Sequence, residues 1–471
     1  MTRFNSALDC AAAIRSKEIS PSEVLDHYLS VTDRLDPTLN AFALRDDERA
    51  RAEAARATDV VANSAPEDLA PFHGVPIPIK DLNNVEGWLT TFGSDAAPDS
   101  PAATDDQVVK RLRDAGFVLM GKTTTPEFGA VSVTESKRFG ATSNPWNPEY
   151  SSGGSSGGAA SAVAAGMAPI AHASDGGGSI RIPASCTGLV GLKPSRNRIN
   201  DWTEKLHGGS TSGVVCRTIA DAAATLDVLA PQDPGAWNNA PAPSRPWASE
   251  VGAPVERLRI RVATRGAGDM DVPASLADAV SHTADVLADI GHEVVESEPL
   301  WPDLLEFFAG FMAVWGTITA SVEGLDAAKL EPHNRESLAG AAERSSIDYA
   351  KAVLSLQRMS REFVSQFGSD FDVLVTPTMA IEPPKVGWLF EGSDENPGVI
   401  GANALPMAAF TAIFNVTGQP ALSLPLHVSE SGLPIGVQFA APPWREDLLI
   451  RLGAQLEAEM PWADRWPAMA G

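Results

Sequence analysis

Residues 151–181, SSGGSSGGAASAVAAGMAPIAHASDGGGSIR, decide how the rest of this sequence is read. Gly, Ser and Ala in such density ordinarily mark a flexible linker. That explanation covers 151–158 and fails beyond it. An alanine-rich stretch suited to close helix packing follows, and then a second glycine cluster holds Ser179 in front of the apolar Ile180. Two glycine turns bracketing a small-residue helix are shaped backbone. Glycines beside a serine let backbone N–H groups approach a developing oxyanion, and they leave the hydroxyl uncrowded on its turn. Serine is a weak nucleophile at neutral pH, so a base is required.

Working outward, the eight histidines are scattered, and His172 and His207 sit in no recognisable triad pattern. Lys80 is the better candidate. It ends GVPIPIK (74–80), a short apolar run with two prolines that reads as a buried or edge strand delivering a lysine at its tip. Burial there would disfavour the ammonium and lower its pKa toward a usable base. Taken alone, a lysine at a strand end is ordinarily solvated.

The remaining chain alternates helices and strands. Ser20-Pro21-Ser22-Glu23 is a capping box with proline at the first helical position. TDDQVVKRLRDAG (104–116) reads as a helix capped by Thr104 and stopped by Gly116, with a strand at 117–120. Further strands are expected at 258–264, 293–296, 371–375, 421–426 and 435–440, and helices at 273–290, 347–367 and 446–459. Interleaving of this kind implies an α/β fold, with a sheet covered by helices on both faces. The Pro-rich stretch 230–257 fits a linker or a long surface excursion equally well.

Composition removes several classes. Sixty acidic residues against 36 basic ones give a net charge of −24, which repels nucleic acid and anionic membranes. Three dispersed cysteines, Cys10, Cys186 and Cys216, form neither a disulfide framework nor a CxxC site. Residues 1–10 lack the pattern of a secretory signal, and no window holds about 18 uninterrupted apolar residues, so a cytoplasmic protein is expected. GFVLMGKT (116–123) matches the Walker A pattern, but its four variable positions are an apolar strand and the helix lies on the wrong side. A nucleotide-binding protein is accordingly disfavoured.

The sequence resembles the amidase signature hydrolases. The resemblance rests on GVPIPIKD (74–81), GKTTTPEFG (121–129), NPWNP (144–148), SSGGSSGG (151–158), SDGGGSIRIPAS (174–185) and GLVGLKPS (188–195), with FNVTGQPALSLP (414–425) and GLPIGVQF (432–439) near the end. It implies an amidase-signature α/β/α fold with a central mixed, twisted sheet. One domain over 1–471 is expected, with its catalytic core at 74–195 and a pocket-forming, sheet-completing part at 255–471. By the same resemblance the catalytic unit is a Ser-cisSer-Lys triad: Ser179 the nucleophile, Ser155 the serine after a cis peptide, Lys80 the base. Backbone N–H groups of Gly176, Gly177, Gly178 and Ser179 would form the oxyanion hole. Ser174, Asp175 and Arg181 would hydrogen-bond behind the loop, and Gly129 would offer its backbone to substrate. Ser156 is the neighbour most easily mistaken for Ser155. No metal and no cofactor are implied.

Cys186, in an apolar stretch with no adjacent histidine, reads as a buried structural thiol. Trp146, Trp202, Trp301 and Trp315 are candidates for pocket walls or plain core. Less patterned segments at 130–139, 200–211, 304–321 and 381–404 are the expected walls, with an apolar element around Phe307, Phe308, Phe311, Met312 and Trp315. The resemblance points to bacterial enzymes acting on aryl amides, nylon-type oligoamides and carbamates (urethanes). The expected partner is a small-molecule amide or carbamate, with no nucleic acid or membrane, and the expected assembly a monomer or homodimer. The rival within the family is the glutaminase subunit of a tRNA-dependent amidotransferase, which would need partner subunits.

Overall fold

Residues 4–201, 206–266, 268, 270–393, 395–396 and 398–470 are described by the computed structural model of the chain. Its apolar runs become strands of two sheets. The smaller contains β1 (Phe42–Leu44), β2 (Pro76–Lys80) and β3 (Val118–Thr123), in the order β1-β3-β2, with β2 parallel to β3. The larger contains β4 (Ala171–Asp175), β5 (Val190–Lys193), β6 (Thr211–Cys216), β7 (Arg259–Val262), β8 (Glu293–Glu296), β9 (Val373–Pro377), β10 (Ala421–Val428) and β11 (Pro434–Ala440). Their order is β8-β7-β9-β11-β10-β5-β6-β4. β7 runs parallel to β8 and β9, and the other neighbours are antiparallel, so this is the mixed sheet that was expected.

Side-chain alternation explains why both faces are covered. Leu192 of β5 is paired with Leu422 of β10. On that face the helices Ile219–Leu229 and Glu446–Glu459 close in: a Cβ placed on Gly453 would stand 2.9 Å from Leu422 and 2.8 Å from Ile219. The next pair, Gly191 with Ser423, faces the other way. There the helix Arg181–Thr187 rests almost on backbone, and a Cβ on Gly191 would meet Ala184 Cβ at 2.7 Å. Adding a methyl at such a contact costs about 1–3 kcal/mol. The helix Gly157–Ala164 is buried at all eight positions, and with Ala171, Ala173, Ala184 and Val215 it forms a core of small side chains. The small residues of 157–173, together with Ala184 and Gly191, are thus the condition for two helices to approach the sheet closely.

Three elements differ from expectation. The 104–116 helix forms as Gln107–Asp114 with Asp106, not Thr104, at its N-cap. Asp106 is held in extended conformation there, because its carboxylate accepts from Asn83 Nδ2 (2.9 Å) and Asn84 N (3.0 Å). The strand expected at 117–120 runs on to Thr123. Gly121, Lys122 and Thr123 therefore lie inside a buried strand and not in a phosphate-cradling loop, and Lys122 Nζ is ion-paired with Asp81 at 2.6 Å. Between the two glycine clusters lies β4, whose AHASD sequence has none of the β-branched residues that usually mark a strand.

The 230–257 stretch is tied back along its length. Ala240 N donates to Asn197 O, Trp247 N to Asp227, and Glu250 accepts from both Arg245 and Arg451. By length and composition Leu304–Ser321 would suffice to cross a bilayer, and a third of it is buried. Within it Phe307 and Val314 pack with Val353, Leu356 and Phe363.

Candidate active site

The two sheets meet where β2 ends beside β4. All five β2 residues are buried, and the Lys80 backbone N–H donates to His172 Nδ1 of β4 at 3.4 Å. The Lys80 side chain, fully buried, then reaches across: its Nζ donates to Ser155 Oγ at 2.9 Å and to Ser174 Oγ at 3.1 Å. Asp81, one residue on, turns to the opposite side, where it pairs with Lys122 and accepts from Thr91 N and Thr91 Oγ1. Burial holds Lys122 below the usual lysine range, with Asp81 opposing that pull.

Ser155 is set by the loop around it. The Gly154–Ser155 peptide is cis. Thr134 Oγ1 donates to Gly153 O and accepts from Gly157 N, both at 2.9 Å, bracketing the turn on either side. Ser156 points elsewhere, its hydroxyl donating to Ser174 O at 3.2 Å. Of the two adjacent serines it is therefore Ser155 that meets Lys80. Gly129 stands directly against it: a Cβ there would come 3.0 Å from Ser155 Oγ and 2.8 Å from Leu82.

Ser179 follows β4 and opens onto the same cavity as Ser155, Ser174, Gly176 and Gly129. Behind the loop, fully buried Asp175 is gripped by Arg181 through both oxygens, at 2.9 and 3.0 Å. Burial alone would raise the Asp175 carboxyl; Arg181, Lys193 and Asn415 outweigh it and hold the group well below the usual carboxylate range. Lys193, also fully buried, is pushed down to about 7 by burial and by Arg181. Asp175 also accepts from Gly178 N (2.7 Å) and Ile180 N (3.2 Å). This corrects one expectation for the oxyanion hole. The Gly178 N–H is spent on Asp175, whereas those of Gly176, Gly177 and Ser179 donate to no protein acceptor among the described residues.

The cavity of ≈ 140 Å³ beside these serines has Phe92, Phe128, Leu206, Trp315 and Ile318 in its walls, and Asp201 is the one charged residue among its described lining. Trp315 and Phe311 lie over Gly176 and Gly177, and the two rings stack 5.2 Å apart. Trp315 also borders a second, mainly apolar pocket of ≈ 150 Å³ lined by Phe311, Val314, Val353, Leu356 and Val416 together with Arg196, Ser360 and Asn415. A larger recess of ≈ 1180 Å³ shares Phe92, Asn200, Leu206 and Ile318 with the serine cavity.

Two of the four expected wall segments take their place here, 200–211 and 304–321; Trp202 lies outside the described residues. Among the described residues, the other two do not line the cavity. Val131, Val133, Ile381, Trp388, Phe390, Ala404 and Met407 instead form a separate apolar cluster with Cys186. The missing walls come from Leu82, Asn83 and Phe92. Trp146 is occupied elsewhere, donating to Thr187 O at 2.8 Å, and Trp301 stacks on Phe363. Cys186 is buried, with its thiol pushed up by burial, as expected of a structural cysteine. Sequence reasoning missed Thr411, Asn415 and Gln438. Arg181 donates to Thr411 O (3.0 Å), Gln438 Oε1 (2.8 Å) and Asn415 Oδ1 (2.6 Å). Asn415 and Gln438 stand inside the quoted blocks FNVTG and GVQF, which was the available signal.

A lysine buried against one serine, a second serine on a glycine loop and an ion pair behind that loop, all carried by a mixed sheet between helices, define an amide hydrolase of the amidase signature type. The chain belongs to that family, whose Amidase model matches residues 23–450. It is similar to the 6-aminohexanoate-cyclic-dimer hydrolase of Paenarthrobacter ureafaciens, at 36% identity over 98% of this chain and 95% of the relative. A putative amidase, AmiB2, of Mycobacterium bovis is 36% identical over 99% of this chain and 98% of its own length. Among solved structures, 6-aminohexanoate cyclic dimer hydrolase complexed with substrate superposes with a TM-score of 0.91 at 35% identity, covering 99% of each chain. A bacterial aryl acylamidase of the amidase signature family superposes at 0.88 with 25% identity, covering 100% of this chain and 99% of that one.

Proposed function

We propose that this chain hydrolyses the C–N bond of uncharged amides through Ser179, Ser155 and Lys80, without a cofactor or partner subunit. The observation that carries this reading is the buried 2.9 Å contact from Lys80 Nζ to Ser155 Oγ, on the cavity that Ser179 also lines. Neutral Lys80 takes the proton of Ser155, Ser155 takes that of Ser179, and Ser179 Oγ attacks the carbonyl carbon. The tetrahedral oxyanion is met by N–H groups of the glycine loop. Collapse breaks the C–N bond as the proton returns through Ser155 to the leaving nitrogen. Water then cleaves the acyl-enzyme by the same relay, regenerating the Ser179 hydroxyl and releasing the acid.

The walls support an apolar, uncharged substrate. Phe92, Phe128, Leu206, Trp315 and Ile318 supply apolar surface beside the serines, Asn83, Asn197, Asn200 and Ser212 supply neutral polar groups, and the pocket beyond Trp315 has the volume of a ring or short alkyl chain. Aryl amides, the cyclic dimer of 6-aminohexanoate and oligoamides without charged ends are the leading candidates. Aryl carbamates extend the series: loss of the amine leaves an alkoxycarbonyl-enzyme, which water resolves to alcohol and carbon dioxide.

The test is a purified-enzyme screen over 4-nitroacetanilide, a simple aliphatic amide, 6-aminohexanoate cyclic dimer, an aryl carbamate and glutamine, with released amine or ammonia quantified. Hydrolysis of the apolar amides is expected. Turnover of glutamine alone would overturn the substrate class, and near-normal activity in Ser179→Ala would overturn the nucleophile.

A further inference from the structure

The peptide joining Gly177 to Gly178 is held at both ends. Its N–H donates to Asp175 Oδ1 at 2.7 Å, and its carbonyl accepts from Thr411 Oγ1 at 2.7 Å. Thr411 is fully buried just ahead of the helix Ala412–Thr417, more than 200 residues from the loop it touches. Its own carbonyl is fixed by Arg181 Nη1 at 3.0 Å, so both anchors of the peptide are tied to one guanidinium. The fit leaves no slack. Gly178 has φ +133°, and a Cβ there would lie 2.3 Å from Thr411 Oγ1.

A planar peptide with its two polar ends pinned on opposite sides cannot rotate about its Cα–Cα axis. The peptides on either side carry the Gly177 and Ser179 N–H groups, and Gly177 and Gly178 are the hinges between them and the pinned plane. Glycine hinges are the most permissive available, so without a pin these donors would wander. We infer that Thr411 is a positioning residue of the oxyanion site: its hydroxyl locks the 177–178 peptide plane and thereby aims the Gly177 and Ser179 N–H groups at the carbonyl oxygen as charge develops. This rests on the proposed nucleophilic role of Ser179. Its consequence is specific, because donors that matter in the transition state affect kcat more than substrate binding.

The experiment compares Thr411→Val, which keeps shape and removes the donor, with Thr411→Ser, which keeps the donor. For Thr411→Val, kcat on 4-nitroacetanilide is expected to fall on the order of 10- to 100-fold with KM within about twofold, and Thr411→Ser is expected to restore most of it. Phenylboronic acid, which adds to a serine as a tetrahedral anion, should bind Thr411→Val weaker by the same factor as the loss in kcat/KM. Acetanilide, itself an aryl amide, is measured as a planar ligand in the Ser179→Ala background, where it is not turned over, and adding Thr411→Val should leave its affinity unchanged. If Thr411→Val does not fold, judged by its circular dichroism, Thr411→Ala takes its place. A Thr411→Val enzyme with parental kcat and boronate affinity overturns the inference while leaving an inactive Ser179→Ala to support the nucleophile. Parental turnover in Ser179→Ala overturns the underlying mechanism instead. Equal weakening of boronate and acetanilide would show general loosening of the site, and would also overturn the aiming role.

Discussion

Arg181 and Asp175 face each other in a two-point grip, Nη2 to Oδ1 at 2.9 Å and Nε to Oδ2 at 3.0 Å, with neither side chain exposed to solvent. A buried pair of this kind is strongly coupled, because removing one partner strands the other in a low-dielectric interior. Arg181→Met is therefore expected to destabilise the protein by about 3–5 kcal/mol, read from urea unfolding. A loss under about 1 kcal/mol would show that water or a neighbour replaces the guanidinium.

Lys122 and Asp81 make a second such pair, at 2.6 Å, directly behind Lys80. Lys122→Ala should lower stability by about 3 kcal/mol for the same reason. ATP titrated into the parent enzyme should produce no binding heat. Saturable ATP binding abolished in Lys122→Ala would restore the phosphate-loop interpretation of residues 116–123.

Asp221, which accepts from Ala7 N and Leu8 N, and Glu457 are both raised to about 7, first by burial and then by neighbouring carboxylates. Their unfolded values lie near about 4, so the folded state binds more protons between about pH 4 and 7. Their contribution to stability is full below that window and is lost as pH rises through it. Glu457→Gln, uncharged at every pH, should stabilise the protein by about 1 kcal/mol at pH 8 and by little at pH 5, in thermal melts at both. An equal effect at the two pH values would contradict this assignment.

Trp315 forms the wall between the serines and the apolar side pocket. Trp315→Ala should raise KM for 4-nitroacetanilide on the order of tenfold and change KM for acetamide little, since only the larger substrate loses apolar contact. A uniform change across both would place the aryl group elsewhere.

On the proposed mechanism, with Lys80 as the base, kcat/KM is expected to climb from acid to alkaline pH. Initial-rate profiles on 4-nitroacetanilide in overlapping buffers measure it. A flat profile from acid to alkaline pH would remove lysine as the base.

Much of this was legible before any coordinates. Lys80 meets Ser155, and Ser155 and Ser179 line one cavity, because glycines, prolines and alanines dictate turns and close packing locally, and such constraints are written in short motifs. Of the two adjacent serines, Ser155 meets Lys80 while Ser156 bonds Ser174 O, and Thr134 brackets the turn that separates them. What stayed hidden was long-range. Nothing near Thr411 in sequence announces a partner at Arg181, and the block that holds Gln438 does not say which residue it meets, since each bond is made only when distant elements assemble. The cavity walls misled for a related reason. Segment 381–404 is apolar because it packs on Cys186 and Met407, and sequence pattern cannot separate core from pocket lining.

Lys80 rides on the three-stranded sheet, whereas Ser179 follows a strand of the eight-stranded one. The proposed relay would therefore run from one sheet to the other through the Ser155 loop, and the 2.9 Å contact of Lys80 with Ser155 would report any shift of β2 against that loop. Mild denaturant, pressure or a distant core substitution that lets the sheets slide by a fraction of an ångström would silence the enzyme while its circular dichroism stays native. Loss of activity should thus precede loss of structure, and hardening the packing of β2 against that loop is where an engineer seeking a robust catalyst should begin.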